Sequence, residues 1–323
     1  MDTDRIFGIQ SAGEFESLAL ETFAHQYRNV SVYKEFCDHL GKNPSQIKSL
    51  GEIPFIPIDF FKSHMVLSRE LQPEIVFRSS GTTGSIRSQH YVADLDLYRE
   101  SFTRGFEYFY GKPSDYCIAA LLPSYQERSD ASLSYMVGEL IAQSAHPESG
   151  FYNPYETGAL LERLSESQTK ILLIGVTFAL LDLVEKTVKT IPDTIVMETG
   201  GMKGRRKEMV RAELHTILSR GFGLREIHSE YGMTELLSQA YSSGQGIFRC
   251  PPWMQVRIRD TEDPLSPLKS GRTGGVDIID LANQHSCAFI ATQDLGKSYD
   301  DGTFEILGRF DHSDIRGCNL MAL

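Results

Sequence analysis

The chain reads as an α/β protein, with a mostly parallel sheet under helical layers followed by a small β-rich part. Three observations predict this. From about residue 75 to 250, short β-rich runs alternate with longer helical patterns, the rhythm of strands joined by helical crossovers. Beyond Trp253 the pattern changes to short segments separated by Gly, Asp and Pro turns, as in a small antiparallel or barrel-like subdomain. The length of 323 residues, 41% hydrophobic and 23% charged, describes a globular chain able to bury roughly 75% of its unfolded surface.

The elements follow in order. From Ser11 to about Tyr33, Phe15, Leu18, Ala19, Phe23 and Ala24 recur at helical spacing and predict an amphipathic helix. The stretch Ile53-Pro54-Phe55-Ile56-Pro57-Ile58-Asp59-Phe60-Phe61 alternates prolines with large apolar groups and predicts extended chain lying on a core. Strands are expected at Ile75 to Arg78, Cys117 to Leu121, Lys170 to Gly175, Thr194 to Glu198 and Arg225 to Ser229. The helices between them are expected at Leu95 to Tyr110, Ser134 to Gln143, Glu156 to Glu166, Ala179 to Thr190 and Lys207 to Gly221. The aromatic series Phe102, Phe106, Phe109 and Tyr110 has helical periodicity and reads as core. The later strands are expected at Val256 to Arg259, Gly275 to Asp280, Cys287 to Ala291 and Phe304 to Gly308. Residues 1–70 thus are expected to form a helical and extended segment packed on the core, 71–250 an α/β core, and 251–323 a β-rich subdomain.

Composition excludes several classes. With 32 Lys and Arg against 43 Asp and Glu, a formal charge of −11, the surface is unsuited to nucleic acid or anionic lipid. The N-terminus lacks a secretory pattern and no apolar run reaches membrane-spanning length, so a cytoplasmic location is expected. The five cysteines, Cys37, Cys117, Cys250, Cys287 and Cys318, are far apart without paired ligand spacing, so neither a zinc site nor a disulfide framework is implied.

Two clusters carry chemistry. Ser79-Ser80-Gly81-Thr82-Thr83-Gly84-Ser85 follows a strand, and such a loop can turn tightly and offer N–H and hydroxyl donors to phosphate oxygens. The same composition also fits an ordinary flexible loop, and the Walker-type ending is missing. Arg78 and Arg87 flank it and can meet negative charge or pair with surface carboxylates. Glu230-Tyr231-Gly232-Met233-Thr234-Glu235 comes directly after another strand, where an open α/β sheet presents its functional loop. Thr234 can donate to a phosphate oxygen and Glu235 can hold magnesium; alternatively, Thr234 caps a helix whose first turn contains Glu235. His90 either closes an anion site or completes a local hydrogen-bond network.

Together these residues resemble the adenylate-forming superfamily of acyl-CoA synthetases, luciferase-like enzymes and peptide-synthetase adenylation domains. Ser80-Gly81-Thr82-Thr83-Gly84 is similar to its phosphate loop and Tyr231-Gly232-Met233-Thr234-Glu235 to its aromatic-Gly-x-Thr-Glu motif. Thr292-Gln293-Asp294-Leu295-Gly296 is similar to the Thr-Gly-Asp-Leu motif and Gly308-Arg309-Phe310-Asp311 to the Gly-Arg-x-Asp signature near the hinge. The four occur in the family's order. The Pro-rich prelude and Arg87-Ser88-Gln89-His90 look closest to the acyl-protein synthetases of the bacterial luminescence fatty-acid reductase complex, with phenylacetate-CoA ligases the near alternative.

The resemblance implies the superfamily's N-terminal core, with mixed sheets flanked by helices and a small β-rich subdomain, and adenylation of a carboxylic acid, in this family a fatty acid, by ATP with Mg2+. It implies that Ser80, Gly81, Thr82, Thr83 and Gly84 hold the leaving phosphates, with Arg87 beside them. Thr234 touches the α-phosphate and Glu235 holds the metal; Tyr231 and Gly232 meet the adenine, as do Gly200 and Gly201. Asp294 accepts from the ribose diol and Arg309 binds ribose or phosphate oxygens, against the plainer readings of a turn-stabilising Asp and a structural ion pair. Tyr125 would border the acid. The acyl group would pass to a protein thiol and an acyl-reductase or other acceptor partner; a CoA ligase or a noncatalytic nucleotide-binding subunit is the alternative. Gln293 stands where the motif has Gly, and Arg87 where many relatives have Lys. The chain stops twelve residues after Asp311, so the family's C-terminal lid is expected to be absent or supplied in trans.

Overall fold

The computed structural model describes residues 3–80, 86–123, 127–164, 169–186, 194–200 and 209–309. They fall into two compact units. One comprises Met1–Ile75, Ile86–Asp94 and Pro252–Leu323, the other Val76–Ser85 and Leu95–Pro251. The N-terminal segment therefore shares a unit with the C-terminal β-rich part.

The second unit is built on a sheet ordered Gly150–Phe151, Tyr116–Leu121, Lys170–Gly175, Thr194–Glu198, His228–Tyr231 and Ala240–Ser242. All neighbours pair in parallel except the last two strands, which are antiparallel. The eight residues Cys117 to Ala120 and Ile171 to Ile174 are almost wholly buried, the continuous apolar pattern of a parallel sheet covered on both faces. Helices Leu95–Tyr110 and Ser132–Ser144 pack together, and Pro154–Leu164, Thr177–Lys186 and Arg211–Phe222 pack in succession. On the first pair, Tyr98 and Tyr135 stack at 5.8 Å with Phe77 against both, and Phe102 and Phe106 are buried as the periodicity predicts. Chain order reverses at Tyr116–Leu121, whose neighbours are the next two strands in sequence, so the parallel strands share a carboxyl edge with a switch point.

In the first unit, strands Phe304–Arg309, Phe289–Ser298, Thr273–Asp280 and Met254–Arg259 pair antiparallel in that order. The Pro-rich stretch is extended as predicted: Ile56–Pro57 pairs in parallel with Ile290 and Ala291, and a short helix Phe60–Ser63 follows. The N-terminal helix is two. Ala12–Asn29 begins on Ser11, whose hydroxyl accepts the Glu14 N–H, and stops where Val30 turns extended and bridges Ser68; Ser31–His39 then restarts. Gln26 fastens the first helix to the β-rich part, donating to the Asn283 carbonyl at 2.7 Å while its side-chain oxygen accepts the Ala288 N–H at 2.9 Å. His90 takes the network role, with Nε2 3.3 Å from Asn283 Oδ1 and its ring edge-on to Phe61. Cys37, Cys117 and Cys287 are buried free thiols that burial pushes up, those of Cys37 to about 12.

No described helix is long and apolar enough to cross a membrane.

Candidate functional site

The carboxyl edge of the second unit's sheet collects the first group of expected site residues. Strands Thr194–Glu198 and His228–Tyr231 pair with Met197 opposite His228 and Glu198 opposite Ser229, so the turn at Gly200 and the loop from Gly232 leave the sheet side by side. Gly200 is left-handed, φ 63°, a conformation glycine adopts without a Cβ penalty, and its N–H donates to Glu198 Oε2 at 2.7 Å. Thr199 Oγ1 is buried at this edge with no hydrogen-bond partner among the described residues.

Glu198 is the anchor of that edge and was not singled out from sequence. Its side chain is 2% exposed, with Arg211 Nε at 3.2 Å and His215 Nε2 at 3.6 Å; His215 Nε2 also lies 3.3 Å from Ser229 Oγ. Burial opposes its ionisation, but His215, Arg211, Ser229 and the Gly200 N–H together hold the carboxyl down at about 2. A glutamate closing the apolar run Ile195-Val196-Met197 just before two glycines was the only signal for it.

Tyr231 ends its strand 8% exposed, edge-on to Phe248 at 5.9 Å. Residues 232–239 connect to the antiparallel edge strand through a tight turn in which the Leu236 N–H donates to the Met233 carbonyl at 3.1 Å. No helix begins at Glu235, where residues 232–239 form turns and bends, so the capping alternative for Thr234 does not hold. Thr234 is half-buried and Glu235 is 3% exposed within this loop. A Cβ at Gly232 would lie 2.5 Å from Glu230 Oε1, the movable end of a side chain, and 3.2 Å from Gln239 Cγ.

Glu230 has the opposite surroundings to Glu198. Burial, then the neighbouring Glu198 charge, pushes its carboxyl up to about 8, and among the described residues no hydrogen bond reaches it. It faces Tyr241 across the antiparallel pair, and Tyr241 Oη is itself buried without a hydrogen-bond partner among the described residues.

The first unit places Asp294 and Arg309 opposite each other on neighbouring strands, joined at 3.1 Å from Arg309 Nε to Asp294 Oδ1. Asp294 is 6% exposed and sits within a strand rather than a turn, its N–H donating to Thr292 Oγ1 at 3.1 Å. The Arg309 side chain is 74% exposed. Behind them, Arg259 donates to Asp277, the Val276 carbonyl and the Thr292 carbonyl, which fixes the strand two residues before Asp294. Gln293, in place of the motif's Gly, donates to Asp59 at 2.7 Å. Arg87 is half-buried in this unit.

Ser80 is exposed just past strand Ile75–Arg78. Gly81, Thr82, Thr83, Gly84, Gly201, Tyr125, Asp311 and Cys318 lie outside the described residues. The second unit thus brings Gly200 together with Tyr231, Gly232, Thr234 and Glu235, and the first brings Asp294 together with Arg309. Among the described residues no three or more His, Cys, Asp or Glu side chains cluster as a metal cage. One buried carboxylate, Glu235, fits magnesium, which is held by one or two carboxylates with waters and substrate phosphates.

Comparison with known proteins gives the lineage. The long-chain-fatty-acid–luciferin-component ligase of Vibrio harveyi is 24% identical over 99% of this chain and 90% of its own length. That of Aliivibrio fischeri is 24% identical over 94% and 86%. Among solved structures, 2-hydroxyisobutyryl-CoA ligase bound to 2-HIB-AMP and CoA superposes at 14% identity over 94% of this chain, with TM-score 0.65 over 72% of its own length in an open conformation and 0.64 over 70% in the thioesterification state. ATP-bound MatB from Rhodopseudomonas palustris superposes with TM-score 0.55 at 18% identity over 72% of this chain, a match that spans only 47% of MatB. The fold is therefore the α/β core of adenylate-forming enzymes. The family "Acyl-protein synthetase, LuxE" matches residues 10–322, and the chain belongs to that family of adenylate-forming ligases.

Proposed function

We propose that this chain activates a carboxylic acid with ATP, releasing pyrophosphate and forming the acyl adenylate, and then passes the acyl group to a thiol. The observation that carries the reading is the placement of Tyr231, Gly232, Thr234 and Glu235 at the carboxyl edge of the parallel sheet, beside the turn at Gly200. That edge is where open α/β sheets bind nucleotides.

In this reading a carboxylate oxygen of the acid attacks the α-phosphorus as the bond to pyrophosphate breaks. The acid is already ionised near neutrality, so no general base is needed. Thr234 donates to an α-phosphate oxygen, Ser80 with Gly81, Thr82, Thr83 and Gly84 orients the departing phosphates, and Arg87 contributes positive charge. Glu235 would hold Mg2+, which offsets charge on the phosphoryl oxygens. Tyr231 offers its flat face to the adenine, Gly200 and Gly201 allow close backbone approach, Asp294 receives the ribose hydroxyls, and Arg309 balances it from the neighbouring strand.

Two acceptors are supported by different observations. The fold neighbours include a ligase crystallised with CoA, which favours CoA as the thiol. The match to the acyl-protein synthetase family and the names of the curated relatives favour a protein thiol and a long-chain acid.

Carboxylate-dependent ATP/pyrophosphate exchange tests the first step across short, long and aromatic acids. Exchange with at least one acid, reduced about 100-fold or more in Glu235→Ala, is expected; exchange unaffected by that substitution removes the metal role, and no exchange with any acid removes the function. Adding CoA, or following the intact mass of the chain for an added acyl group, then separates the acceptors.

A further inference from the structure

Asp294 stands at an irregularity of its sheet. Between strands Thr273–Asp280 and Phe289–Ser298, Gly275 pairs with Leu295 and Asp277 with Ala291, so Thr292, Gln293 and Asp294 stand against Val276 alone. Such a shift interrupts the ladder and re-aims the side chains it carries, and the backbone groups it unpairs need other partners.

Arg259 supplies them. It pairs with Gly275 from strand Met254–Arg259, and its side chain crosses that glycine toward the third strand: a Cβ at Gly275 would lie 2.7 Å from the guanidinium carbon. Nη1 donates to the Val276 carbonyl at 2.8 Å and to Asp277 Oδ1 at 2.6 Å, and Nη2 donates to the Thr292 carbonyl at 2.5 Å, so one guanidinium ties the two strands together where their register slips. Thr292 Oγ1 donates to the same Val276 carbonyl at 2.8 Å and accepts the Asp294 N–H at 3.1 Å, which carries the tie on to Asp294. Arg259, Asp277 and Thr292 are all buried. A buried Arg–Asp pair adds little stability over apolar residues of the same volume, because desolvating two charges offsets their attraction. Apolar residues, however, have no donor for the two carbonyls.

We propose that Arg259 is a positioning residue for the nucleotide ribose, holding Asp294 in place through Thr292. This rests on the reading of Asp294 as acceptor for the ribose diol. A binding group has to be held within about 0.5 Å of its productive position, and that precision comes from the residues behind it. Arg309, whose side chain is 74% exposed, is the weaker constraint on Asp294; the buried fork of Arg259 is the stronger.

The test measures equilibrium binding of ATP, 2′-deoxyATP and 3′-deoxyATP to the full chain, and so needs neither acid nor turnover. Wild type should prefer ATP to at least one deoxynucleotide by about tenfold or more, the contribution of one hydrogen bond to a charged acceptor, and Asp294→Ala should abolish the preference. Arg259→Met should abolish most of it and also lower unfolding stability, since Asp277 is left buried without its partner. Arg259→Met combined with Asp277→Leu removes that stranded carboxyl and should recover the stability without recovering the preference. A role in stability alone predicts that the two recover together. A preference kept in Arg259→Met, or restored along with stability in the double variant, overturns the inference while the ribose contact of Asp294 stands. A preference absent from wild type, or unchanged in Asp294→Ala, overturns the ribose reading and this inference with it.

Discussion

Glu198 ends one strand and Glu230 lies one residue from the end of its neighbour, and both are more than nine-tenths buried, yet they resolve burial in opposite ways. Glu198 is surrounded by Arg211, His215, Ser229 and the Gly200 N–H and is ionised; Glu230 has none of these and is protonated up to about pH 8. A single ionised carboxylate is tolerable in this pocket and a second is not, because the first supplies the like charge that opposes it. The anchored carboxylate fixes the turn into the Gly200 segment, and the unanchored one makes no hydrogen bond among the described residues.

The sharpest way to break this contrast is to remove each carboxyl. Glu198→Ala leaves Arg211 and His215 without their buried partner and should cost about 3–5 kcal/mol in denaturant unfolding. Glu230→Leu removes a carboxyl without a hydrogen bond among the described residues and should be neutral or stabilising by about 1 kcal/mol. Equal losses in the two variants would mean that Glu230 has a structural partner after all.

Proton linkage sharpens the same contrast. Glu198 ionises in the unfolded chain near 4.5 and in the fold near 2, so its contribution is complete above pH 4.5 and is lost as pH falls toward 2, about 3 kcal/mol in all. Glu230 runs the other way. Between about pH 4.5 and 8 the fold retains a proton that the unfolded chain has released, so stability declines across that window by at most about 4–5 kcal/mol. Unfolding of wild type against Glu230→Gln from pH 5 to 9 checks this: the variant should lose the decline and be the more stable of the two at pH 9. Parallel profiles would show that Glu230 ionises normally.

A smaller effect is expected at Gly232, where an added methyl meets Glu230 Oε1 and the Gln239 side chain. Gly232→Ala should cost about 1–3 kcal/mol, and Glu230→Leu should not relieve it fully because Gln239 remains in the way. Additive losses in the double variant would place the Glu230 carboxyl elsewhere.

Much of this architecture was legible from periodicity. The strands at Ile75–Arg78, Lys170–Gly175 and Thr194–Glu198 and the helix Leu95–Tyr110 have the expected ends, because each is an apolar run or amphipathic repeat closed by turn residues. Where pairing decides, the ends moved. The strand expected at Arg225 to Ser229 is His228–Tyr231, so Glu230 and Tyr231 belong to the sheet and not to the loop, and the partner Ala240–Ser242 gave no pattern of its own. Likewise Phe289–Ser298 is ten residues long and carries Asp294 on a strand, held by neighbours on both sides. The motif residues were visible because the resemblance names them. The anchoring of Glu198 was not, since Arg211 and His215 reach it from a helix that no local pattern ties to that strand end.

Arg309 marks the lower limit of the scale and separates the first unit's pair from both glutamates. Its ion pair with Asp294 is made by a side chain 74% exposed, and exposed pairs contribute about 0–1 kcal/mol. Arg309→Ala should therefore leave unfolding within about 0.5 kcal/mol of wild type. Asp294, 6% exposed and hydrogen-bonded through its own backbone to Thr292, keeps its position without the arginine. A fall in ATP affinity in Arg309→Ala at unchanged stability must then come from contact with the nucleotide, because the fold has too little energy in this pair to transmit it. Unchanged affinity, measured by equilibrium binding, would return Arg309 to the role of a surface partner for Asp294.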